Sequence, residues 1–437
     1  MMISSNEFAR RRKELMAMIG KDAIAIVPAA PERTRSRDTL YPYRQDSDFH
    51  YLCGFPEPEA VLVLIPGRTQ GQYVLFCRER DRERETWDGY RAGPGGACEQ
   101  YGADDAFPIA DMDDILPGLL EGKAKVYSAI GKDKEFDQHL MEWINSIRAK
   151  ARTGAVPPGE FVDLDHLLHE NRLFKKPAEL KLMRKAAKIS AEAHCRAMRA
   201  AKPGLNEYQL QAEIEHTFAM EGASFPAYTS IVGGGDNACI LHYVENNQPL
   251  NDGDLVLIDA GCEYQHYAAD ITRTFPVNGR FSPEQKAIYE LVLKAQLAGI
   301  AAAQAGNHWD APHQATVEVI TAGLVKLGLL KGSVKKLIAA GAYTEFYMHR
   351  AGHWLGMDVH DVGDYKVDGQ WRLLEPGMVM TIEPGIYIAP DHKKVAKKWQ
   401  GIGVRIEDDV AITRKGTEVL TGGVPKTVAE IEALMAG

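Results

Sequence analysis

Apolar residues in the first part of the chain fall into short runs and longer helical stretches. Runs rich in Val, Ile and Leu and bounded by Gly or Pro predict β-strands at 22–27, 60–65 and 72–77. Later in this part, longer patterned stretches predict helices at 111–121 and 136–149. Because strands alternate with helices, we expect an α/β domain of about 170 residues.

The N-terminal residues follow a helical period. Ser4 and Glu7 fit a capping box, in which two side chains satisfy the first free backbone N–H groups of a helix. The apolar side of this helix is expected to carry Phe8, Leu15, Met18 and Ile19. No apolar stretch follows the basic residues, so the segment is not predicted to be a signal peptide.

A boundary between two domains is expected in the stretch from Asn171 to Lys176. There a charged stretch runs into Pro177, a residue that suits the first turn of a helix. A long helix should then extend to about residue 201. We therefore expect one domain at 1–172 and a second at 173–437.

The second part again mixes helices with strands. The predicted helices lie at 206–222, 283–303 and 313–327, and the predicted strands at 230–232, 255–259, 268–275, 378–383 and 404–412. Both parts therefore belong to the α/β (α+β) class.

Charge and composition narrow the possible partners. The 437 residues are 45% apolar and 25% charged, as in an ordinary globular protein, and the net charge of −9 argues against a nucleic-acid partner. No apolar run is long enough to span a membrane, so no membrane partner is expected. The six cysteines form no C-x-x-C pair, which predicts reduced thiols and a cytoplasmic location.

Two aspartates stand at the ends of predicted strands. Asp259 closes one apolar strand and Asp270 opens the next. A hairpin turning at Tyr264–Gln265 would place them opposite each other, with Cβ atoms roughly 5 Å apart. Opposed carboxylates repel, so this pairing is costly unless a cation lies between them. The alternative is that each acid merely flanks a turn.

Three of the 14 histidines lie close together, at His349, His353 and His360. A lone histidine is more often a core or surface residue than a ligand. Three within one short segment that also contains Gly352 and Gly356 are harder to explain in that way, because glycine lets a backbone approach a bound group.

Two glutamates complete the set of candidate ligands. Glu383 ends an apolar strand and is followed by Pro384, which holds it at a rigid edge. Glu407 follows Arg405 at strand spacing, so the two should share a face, and an ordinary ion pair between them is the alternative reading.

Four carboxylates with one imidazole suit Mn²⁺, Co²⁺, Fe²⁺ or Zn²⁺ and differ from a thiolate zinc site. More acids than one ion requires indicate two ions with shared ligands. Such a pair, about 3.5 Å apart, can hold a bridging hydroxide for hydrolysis.

At these positions the sequence resembles the metallopeptidases with the pita-bread fold, above all the bacterial X-Pro aminopeptidases (aminopeptidase P). The tracts that carry the resemblance are 241–243, 258–261, 270–277, 349–363, 381–385 and 403–408, with 41–49 and 54–60 in the first part. The resemblance implies a creatinase-like N-terminal α/β domain followed by a pita-bread catalytic domain. It also implies release of the N-terminal residue from peptides with proline second, by attack of a hydroxide that bridges two metal ions.

Carried over to this chain, the resemblance assigns metal ligands and a cofactor. The ligands are Asp259, Asp270, His353, Glu383 and Glu407. Asp270 and Glu407 would bridge two divalent ions, with Mn²⁺ expected first and Zn²⁺, Co²⁺ or Fe²⁺ as alternatives.

The resemblance also assigns residues that act on the substrate. His242, His349 and His360 would line the site and stabilise the tetrahedral intermediate, with Glu383 as a proton shuttle. The residues assigned to substrate binding are Tyr387 and Arg405 on the proline side, and Asp38 and Trp87 at the mouth of the site. For Trp87, a core or interface role is an equal alternative. The partners implied are peptide substrates and further copies of the chain, in a homo-oligomer (dimer or tetramer).

One departure from the family pattern lies in Arg350-Ala351, where a small or aliphatic pair usually follows the first histidine. This change could alter the substrate rim. Two alternative functions stay open: a dipeptide-specific prolidase with the same ligands, and a non-catalytic protein-binding module on the same fold.

Overall fold

The computed structural model describes residues 2–437 and separates into two units. The first unit ends at Asn171, and the second runs from Arg172 to Gly437. The division expected from the sequence lies one residue further along the chain, between residues 172 and 173. Within the described residues, no helix combines the length and the apolar composition that crossing a bilayer requires.

Helices and strands alternate along the first unit. The helices are α1 (Ser5–Ile19), α2 (Ser47–Cys53), α3 (Arg82–Asp88), α4 (Gly93–Tyr101), α5 (Met112–Leu120), α6 (Lys134–Ala149) and α7 (Asp165–Leu173). The strands are β1 (Ala23–Pro28), β2 (Thr34–Ser36), β3 (Thr39–Leu40), β4 (Val61–Leu64), β5 (Tyr73–Cys77), β6 (Asp105–Pro108), β7 (Lys125–Ser128) and β8 (Glu160–Asp163).

Six of these strands form one mixed sheet in the order β6-β5-β4-β1-β7-β8. β4 pairs antiparallel with both β1 and β5, whereas the outer pairs β5–β6, β1–β7 and β7–β8 are parallel. The three strands predicted from apolar runs are the neighbours β1, β4 and β5. Their residues are buried almost without interruption, as expected of strands whose faces are covered. Leu116 of α5 and Trp143 of α6 belong to the same core.

Helix α1 carries the predicted cap but a different buried face. The Ser4 side chain accepts a hydrogen bond from the backbone N–H of Glu7. Leu15 and Ile19 are buried, but Met18 is 44% exposed, so its predicted place on the apolar side is wrong. Arginines occupy the buried side instead: Arg11 and Arg12 donate to backbone carbonyls at the end of α2, at 3.0 and 2.9 Å. Buried guanidinium groups with carbonyl partners replace the apolar contact expected of Met18.

The second unit contains six helices and thirteen strands among its residues, all of which the structure describes. The helices are α8 (Pro177–Ala200), α9 (Glu207–Met220), α10 (Pro283–Ala302), α11 (Ala311–Lys326), α12 (Val334–Ala339) and α13 (Val428–Met435). The strands are β9 (Phe225–Pro226), β10 (Ile231–Gly234), β11 (Leu255–Asp259), β12 (Cys262–Tyr264), β13 (Tyr267–Ala268), β14 (Thr272–Pro276), β15 (Lys366–Val367), β16 (Gln370–Trp371), β17 (Val379–Ile382), β18 (Gly385–Ile388), β19 (Ile402–Arg405), β20 (Asp408–Thr413) and β21 (Gly416–Val419).

The second unit has two similar halves. Each begins with a pair of contacting helices, α8 with α9 and α10 with α11, and continues into short antiparallel strands. Along β11, Val256 and Ile258 pack into the large core that the helices share. Leu257 points the other way, into a small cluster with Ile231 and Tyr387. The two faces of this strand therefore separate the helical core from the cavity described below.

The predicted pairing of Asp259 with Asp270 is wrong. The hairpin β12–β13 turns at Gln265–His266, both with positive φ (52° and 65°), and not at Tyr264–Gln265. Moving the turn by one residue shifts the pairing partner by two, so Asp259 lies opposite Thr272. Positive φ at two non-glycine residues leaves no signal in the sequence that would have located this turn.

Two of the predicted strands are each divided in the structure. The strand expected at 268–275 breaks after Ala268 and resumes as β14 at Thr272, which leaves Asp270 in the gap. The strand expected at 404–412 divides into β19, paired with β18, and β20, paired with β17. Glu407 lies in this second gap. Both breaks place a carboxylate where the chain passes from one sheet to the next.

A buried cluster of charges holds the segment that carries His360. The Asp361 carboxylate lies 2.7 Å from Arg172 Nη2 and 2.7 Å from Lys175 Nζ, and all three side chains are almost completely buried. Burial alone would raise the pKa of Asp361, but the two cations lower it below its ordinary value. A Cβ atom at Gly356 would come within 2.1 Å of this carboxylate, which explains the glycine there.

Replacing Asp361 with Ala should destabilise the second unit by about 3–5 kcal/mol, because it leaves two cations buried without their shared partner. The lowered pKa means that this contribution is present above about pH 4 and is lost on acidification. Urea unfolding of both proteins at neutral pH measures the difference.

The matched control is Glu418→Ala, which breaks an exposed ion pair with Arg184. Such a pair is worth about 0.2–1 kcal/mol. Equal effects of the two substitutions would contradict the assigned role of the buried cluster.

Candidate metal centre

One cavity of about 650 Å³ in the second unit gathers the predicted ligands. Among the residues that line it are the five predicted ligands and the three predicted histidines: Asp259, Asp270, His353, Glu383, Glu407, His242, His349 and His360. They come from strand ends and connecting segments that are far apart in sequence. The predicted set is therefore brought together in space.

Tyr228 joins the two aspartates that the ladder does not pair. Its hydroxyl lies 2.6 Å from Asp259 Oδ1 and 2.6 Å from Asp270 Oδ1. A phenol has one proton and can donate to only one of two carboxylates. The second contact needs a protonated carboxyl group, or a cation that draws the oxygens together. Sequence reasoning missed Tyr228, since no local pattern distinguishes it from a core tyrosine.

His353 has its ligand nitrogen turned toward the acids. Nδ1 lies 2.9 Å from the Trp354 carbonyl oxygen, which can only accept, so Nδ1 carries a proton. Nε2 lies 3.4 Å from Asp270 Oδ2 and 3.6 Å from Glu383 Oε1. Burial alone would lower the pKa of His353, but Asp270 and Glu383 raise it to about 9, so Nε2 has to give up a proton before its lone pair can bind a metal ion. Ligand atoms of Asp270, His353 and Glu407 all lie within 4.8 Å of one another.

The acids of the cavity perturb one another's titration. Burial raises the pKa of Glu383 to about 7. Burial, with Asp270 and Glu383 nearby, raises the pKa of Glu407 well above its ordinary value. For Asp270, burial alone would raise the pKa, but the hydrogen bond with His353 lowers it. Without a cation, Glu383 and Glu407 therefore hold their protons more tightly than ordinary carboxyl groups do. Divalent ions fit the same donors, because they supply the missing positive charge to oxygen and imidazole ligands.

Threonine hydroxyls orient two of the carboxylates. Thr381 Oγ1 lies 3.2 Å from Glu383 Oε1 and accepts from the backbone N–H of His353 at 3.1 Å. Thr272 donates to Glu407 Oε2 at 2.7 Å. These hydroxyls aim the acids into the cavity, as partners of metal ligands generally do. The sequence analysis did not single them out.

Arg405 does not pair with Glu407, so the alternative of an ordinary ion pair between them is wrong. Its Nη2 lies 2.6 Å from Asp259 Oδ2, and its Nη1 donates to the Tyr387 hydroxyl at 2.9 Å. Strand β19 ends at Arg405, so the alternation assumed for Glu407 stops there. Tyr387 is itself buried and also lies 2.9 Å from His349 Nε2. These two side chains form the wall behind the cavity.

Two of the predicted catalytic histidines, His349 and His360, have lowered pKa values and are neutral near pH 7. Burial, with Arg405 nearby, lowers the pKa of His349 to about 4, and its Nδ1 lies 2.8 Å from the Arg350 carbonyl oxygen. Burial and then His353 lower the pKa of His360, whose ring centre lies 4.3 Å from that of His353. His360 is the more exposed of the two. Neutral imidazoles suit hydrogen bonding to a substrate oxygen.

Asp38 and Trp87 belong to the first unit. Asp38 is exposed at the turn between β2 and β3, and Trp87 on α3 is 83% exposed. A core role for Trp87 is therefore wrong. The assignment of both residues to the mouth of the site stays a prediction.

A further carboxylate that sequence reasoning missed lies behind the ligands. Asp409 is fully buried, and its Oδ2 accepts from the backbone N–H of Asp270 at 3.1 Å. Among the described residues, its Oδ1 has no hydrogen-bond partner. In the neighbouring residue Asp408, Oδ1 lies 2.8 Å from Arg273 Nη2, and this ion pair is buried. It joins the strands that follow the two interruptions carrying Asp270 and Glu407.

Comparison with known proteins agrees with this geometry. Residues 181–414 match the metallopeptidase family M24, and residues 8–127 match the aminopeptidase P N-terminal domain. The chain is 48% identical over 434 residues to the Xaa-Pro aminopeptidase of Escherichia coli K12, covering 99% of this chain and 98% of that protein. It is 45% identical to the Xaa-Pro aminopeptidase of Haemophilus influenzae, covering 99% and 98%.

Solved structures resemble the whole chain. The structure of Pseudomonas aeruginosa aminopeptidase PepP matches with a TM-score of 0.99 at 68% identity, covering 100% of this chain and 98% of that one. A zinc-substituted Escherichia coli aminopeptidase P in complex with product matches with a TM-score of 0.97 at 48% identity, covering 100% and 99%. The predicted family and the predicted fold class are confirmed. The chain belongs to the metallopeptidase family M24, among its Xaa-Pro aminopeptidases.

Proposed function

We propose that this chain releases the N-terminal residue from peptides with proline in the second position, using two divalent metal ions. The observation that carries the proposal is the convergence of four carboxylates and one imidazole in a single cavity of about 650 Å³. Four carboxylates suit two cations with shared ligands, and the volume of the cavity suits a small peptide.

In this proposal the metal ligands are Asp259, Asp270, His353, Glu383 and Glu407. Asp270 and Glu407 are assigned as the shared ligands. Both lie in interruptions between strands, and their ligand atoms lie within 4.8 Å of each other and of a His353 ring nitrogen. The bound ions would supply a nucleophile from water and polarise the scissile carbonyl. Arg405 neutralises part of the charge on Asp259 from the opposite side and keeps that carboxylate in place.

The substrate carbonyl is proposed to receive hydrogen bonds from histidines that line the cavity. His360 is exposed to the cavity, and His242 lines it as well. His349 is fixed at both ring nitrogens, by the Arg350 carbonyl oxygen and by the Tyr387 hydroxyl. Its ring lies 3.9 Å from Glu383 Oε2. Glu383 is therefore well placed to move a proton toward the leaving proline nitrogen.

Recognition of proline is proposed to depend on shape. The X-Pro bond is a tertiary amide without an N–H group, so hydrogen bonding cannot identify it. The apolar part of the cavity wall is formed by Ala227, Ile231, Leu241, Val244 and Val359. Arg405 and Tyr387, assigned to the proline side, are both buried, and Arg405 also lines the cavity, so we propose that they support this wall.

Four further assignments belong to the proposal. Manganese is the expected metal, because oxygen-rich ligation suits it. Residues 1–172 are assigned as the N-terminal domain and 173–437 as the catalytic domain. A cytoplasmic location is supported by six free cysteines. A homo-oligomer is supported by the adjacent exposed aromatics Trp87 (83%) and Tyr90 (91%), which suit a protein interface.

The first experiment compares X-Pro-Y-Z, the dipeptide X-Pro and the control X-Ala-Y-Z as substrates of the Mn²⁺-loaded protein. We expect release of X from X-Pro-Y-Z, at least about tenfold faster than from the alanine control, because the pocket fits the proline ring. Mass spectrometry of the products measures both rates. Cleavage of the dipeptide alone would instead indicate a prolidase. No cleavage of any peptide by metal-loaded protein would favour a binding role.

Asp270→Ala should lose at least one of the two ions and most of the activity, because a shared ligand serves both. Metal content per chain, measured by plasma mass spectrometry, tests this directly. The matched control is Asp252→Ala, an exposed aspartate that pairs with Asn278 away from the cavity. An Asp270 variant with full metal content would contradict the ligand assignment.

His360→Ala should lower kcat by about 10²-fold, since it removes a hydrogen-bond donor to the developing oxyanion, while metal content is retained. The control is His216→Ala, an exposed histidine of α9. Steady-state kinetics on X-Pro-Y-Z with parallel metal analysis measures both. An unchanged kcat would show that His360 is structural.

A further inference from the structure

Arg350 occupies the rim of the cavity next to a residue assigned to catalysis. It directly follows His349, whose ring lies 3.9 Å from Glu383, and its side chain lines the cavity and is 44% exposed. Consecutive Cα atoms are about 3.8 Å apart, so the Arg350 side chain leaves the backbone directly beside that of His349. This is also the position at which the sequence departs from the family pattern.

The guanidinium is held in one place by three neighbours. Nη2 contacts Asp310 Oδ1, and Asp310 is itself fixed by a hydrogen bond from Gln314 at 2.7 Å. The guanidinium carbon lies 5.1 Å from the ring centre of Trp309 and 5.0 Å from that of Trp371. An arginine has five N–H donors, and Asp310 is the one hydrogen-bond acceptor of this side chain among the described residues. Donors therefore stay available on an oriented, half-exposed cation.

The charges along the cavity wall leave Arg350 as the cation available to a ligand. Of the described residues that line the cavity, only Arg350 and Arg405 carry a permanent positive charge. Arg405 is 3% exposed and pairs with Asp259 at 2.6 Å. The four acids are assigned to the metal ions. Apart from the metal ions, an anionic group that enters this cavity thus has one exposed side-chain cation as a partner.

We propose that Arg350 is a specificity-determining residue that binds a substrate carboxylate on the proline side of the scissile bond. The proposal rests on the proposed function. In X-Pro-Y the terminal carboxylate lies about two residues, or roughly 7 Å, beyond the scissile bond. The carboxylate is either this terminus or an acidic side chain that directly follows proline.

The test compares substrates that differ only in that charge. One pair is X-Pro-Y as the free acid and as the C-terminal amide, and the other is X-Pro-Asp-Y-Z against X-Pro-Asn-Y-Z. In at least one pair, we expect the charged substrate to have about fivefold higher kcat/KM, mainly because its KM is lower. A partly exposed hydrogen bond between charged groups provides an effect of this size. A response of the first pair alone identifies the terminus, and of the second alone the side chain.

Arg350→Gln should bring the responding ratio to about 1. The matched control is Arg184→Gln on α8, which removes an equally exposed arginine (45%) paired with Glu418 of β21 and should keep the wild-type ratio. Calorimetric binding of Pro-Y as acid and as amide repeats the comparison without turnover. Ratios of 1 in the wild type, or a ratio that persists in Arg350→Gln, would overturn the proposal. Failure to cleave any X-Pro peptide would overturn the proposed function and this inference with it.

Discussion

Repulsion among four carboxylates in one buried cavity is the constraint on which the rest of this structure depends. Asp259, Asp270, Glu383 and Glu407 approach one another where water is scarce, and burial raises the pKa of three of them. A protein gains nothing in stability from such crowding. The arrangement becomes favourable when cations occupy the space between the oxygens. The fold therefore has to hold the acids apart from water and at the right spacing before any ion arrives.

Interrupted strands provide that spacing. In a continuous β-strand, successive side chains point to opposite faces of the sheet. Had the strands continued through Asp270 and Glu407, the strand geometry would have fixed the direction of each carboxylate, and the two could not have converged. Breaking the strands at these residues frees the carboxylates, and short hydrogen bonds then fix them. Tyr228 holds the first pair of acids, and Thr272 holds Glu407. The sheets therefore fix where the backbone of each acid lies, and the interruptions allow its carboxylate to turn into the cavity.

Sequence reasoning reached the ligands but not their geometry. Strand ends and clustered histidines are visible in the pattern, because apolar runs stop abruptly at Asp259 and Glu383. The register was wrong, because a turn at Gln265–His266 with positive φ carries no glycine to mark it. Tyr228 and Asp409 were missed for a different reason. Their importance comes from contacts between residues far apart in sequence, and composition alone does not distinguish them from other buried polar residues.

The two arginines of the cavity show how burial divides one charge type between two tasks. Arg405 is enclosed, and its donors are used by Asp259, Tyr387 and Thr272, so it can only stabilise the wall. Arg350 is half exposed and has one hydrogen-bond acceptor among the described residues, with tryptophan rings covering its faces. A cation that is oriented without being neutralised by several partners retains its capacity to bind. The number of hydrogen-bond partners therefore separates the two roles: Arg405, with several partners, supports the metal ligands, whereas Arg350, with one, can select substrates at the rim.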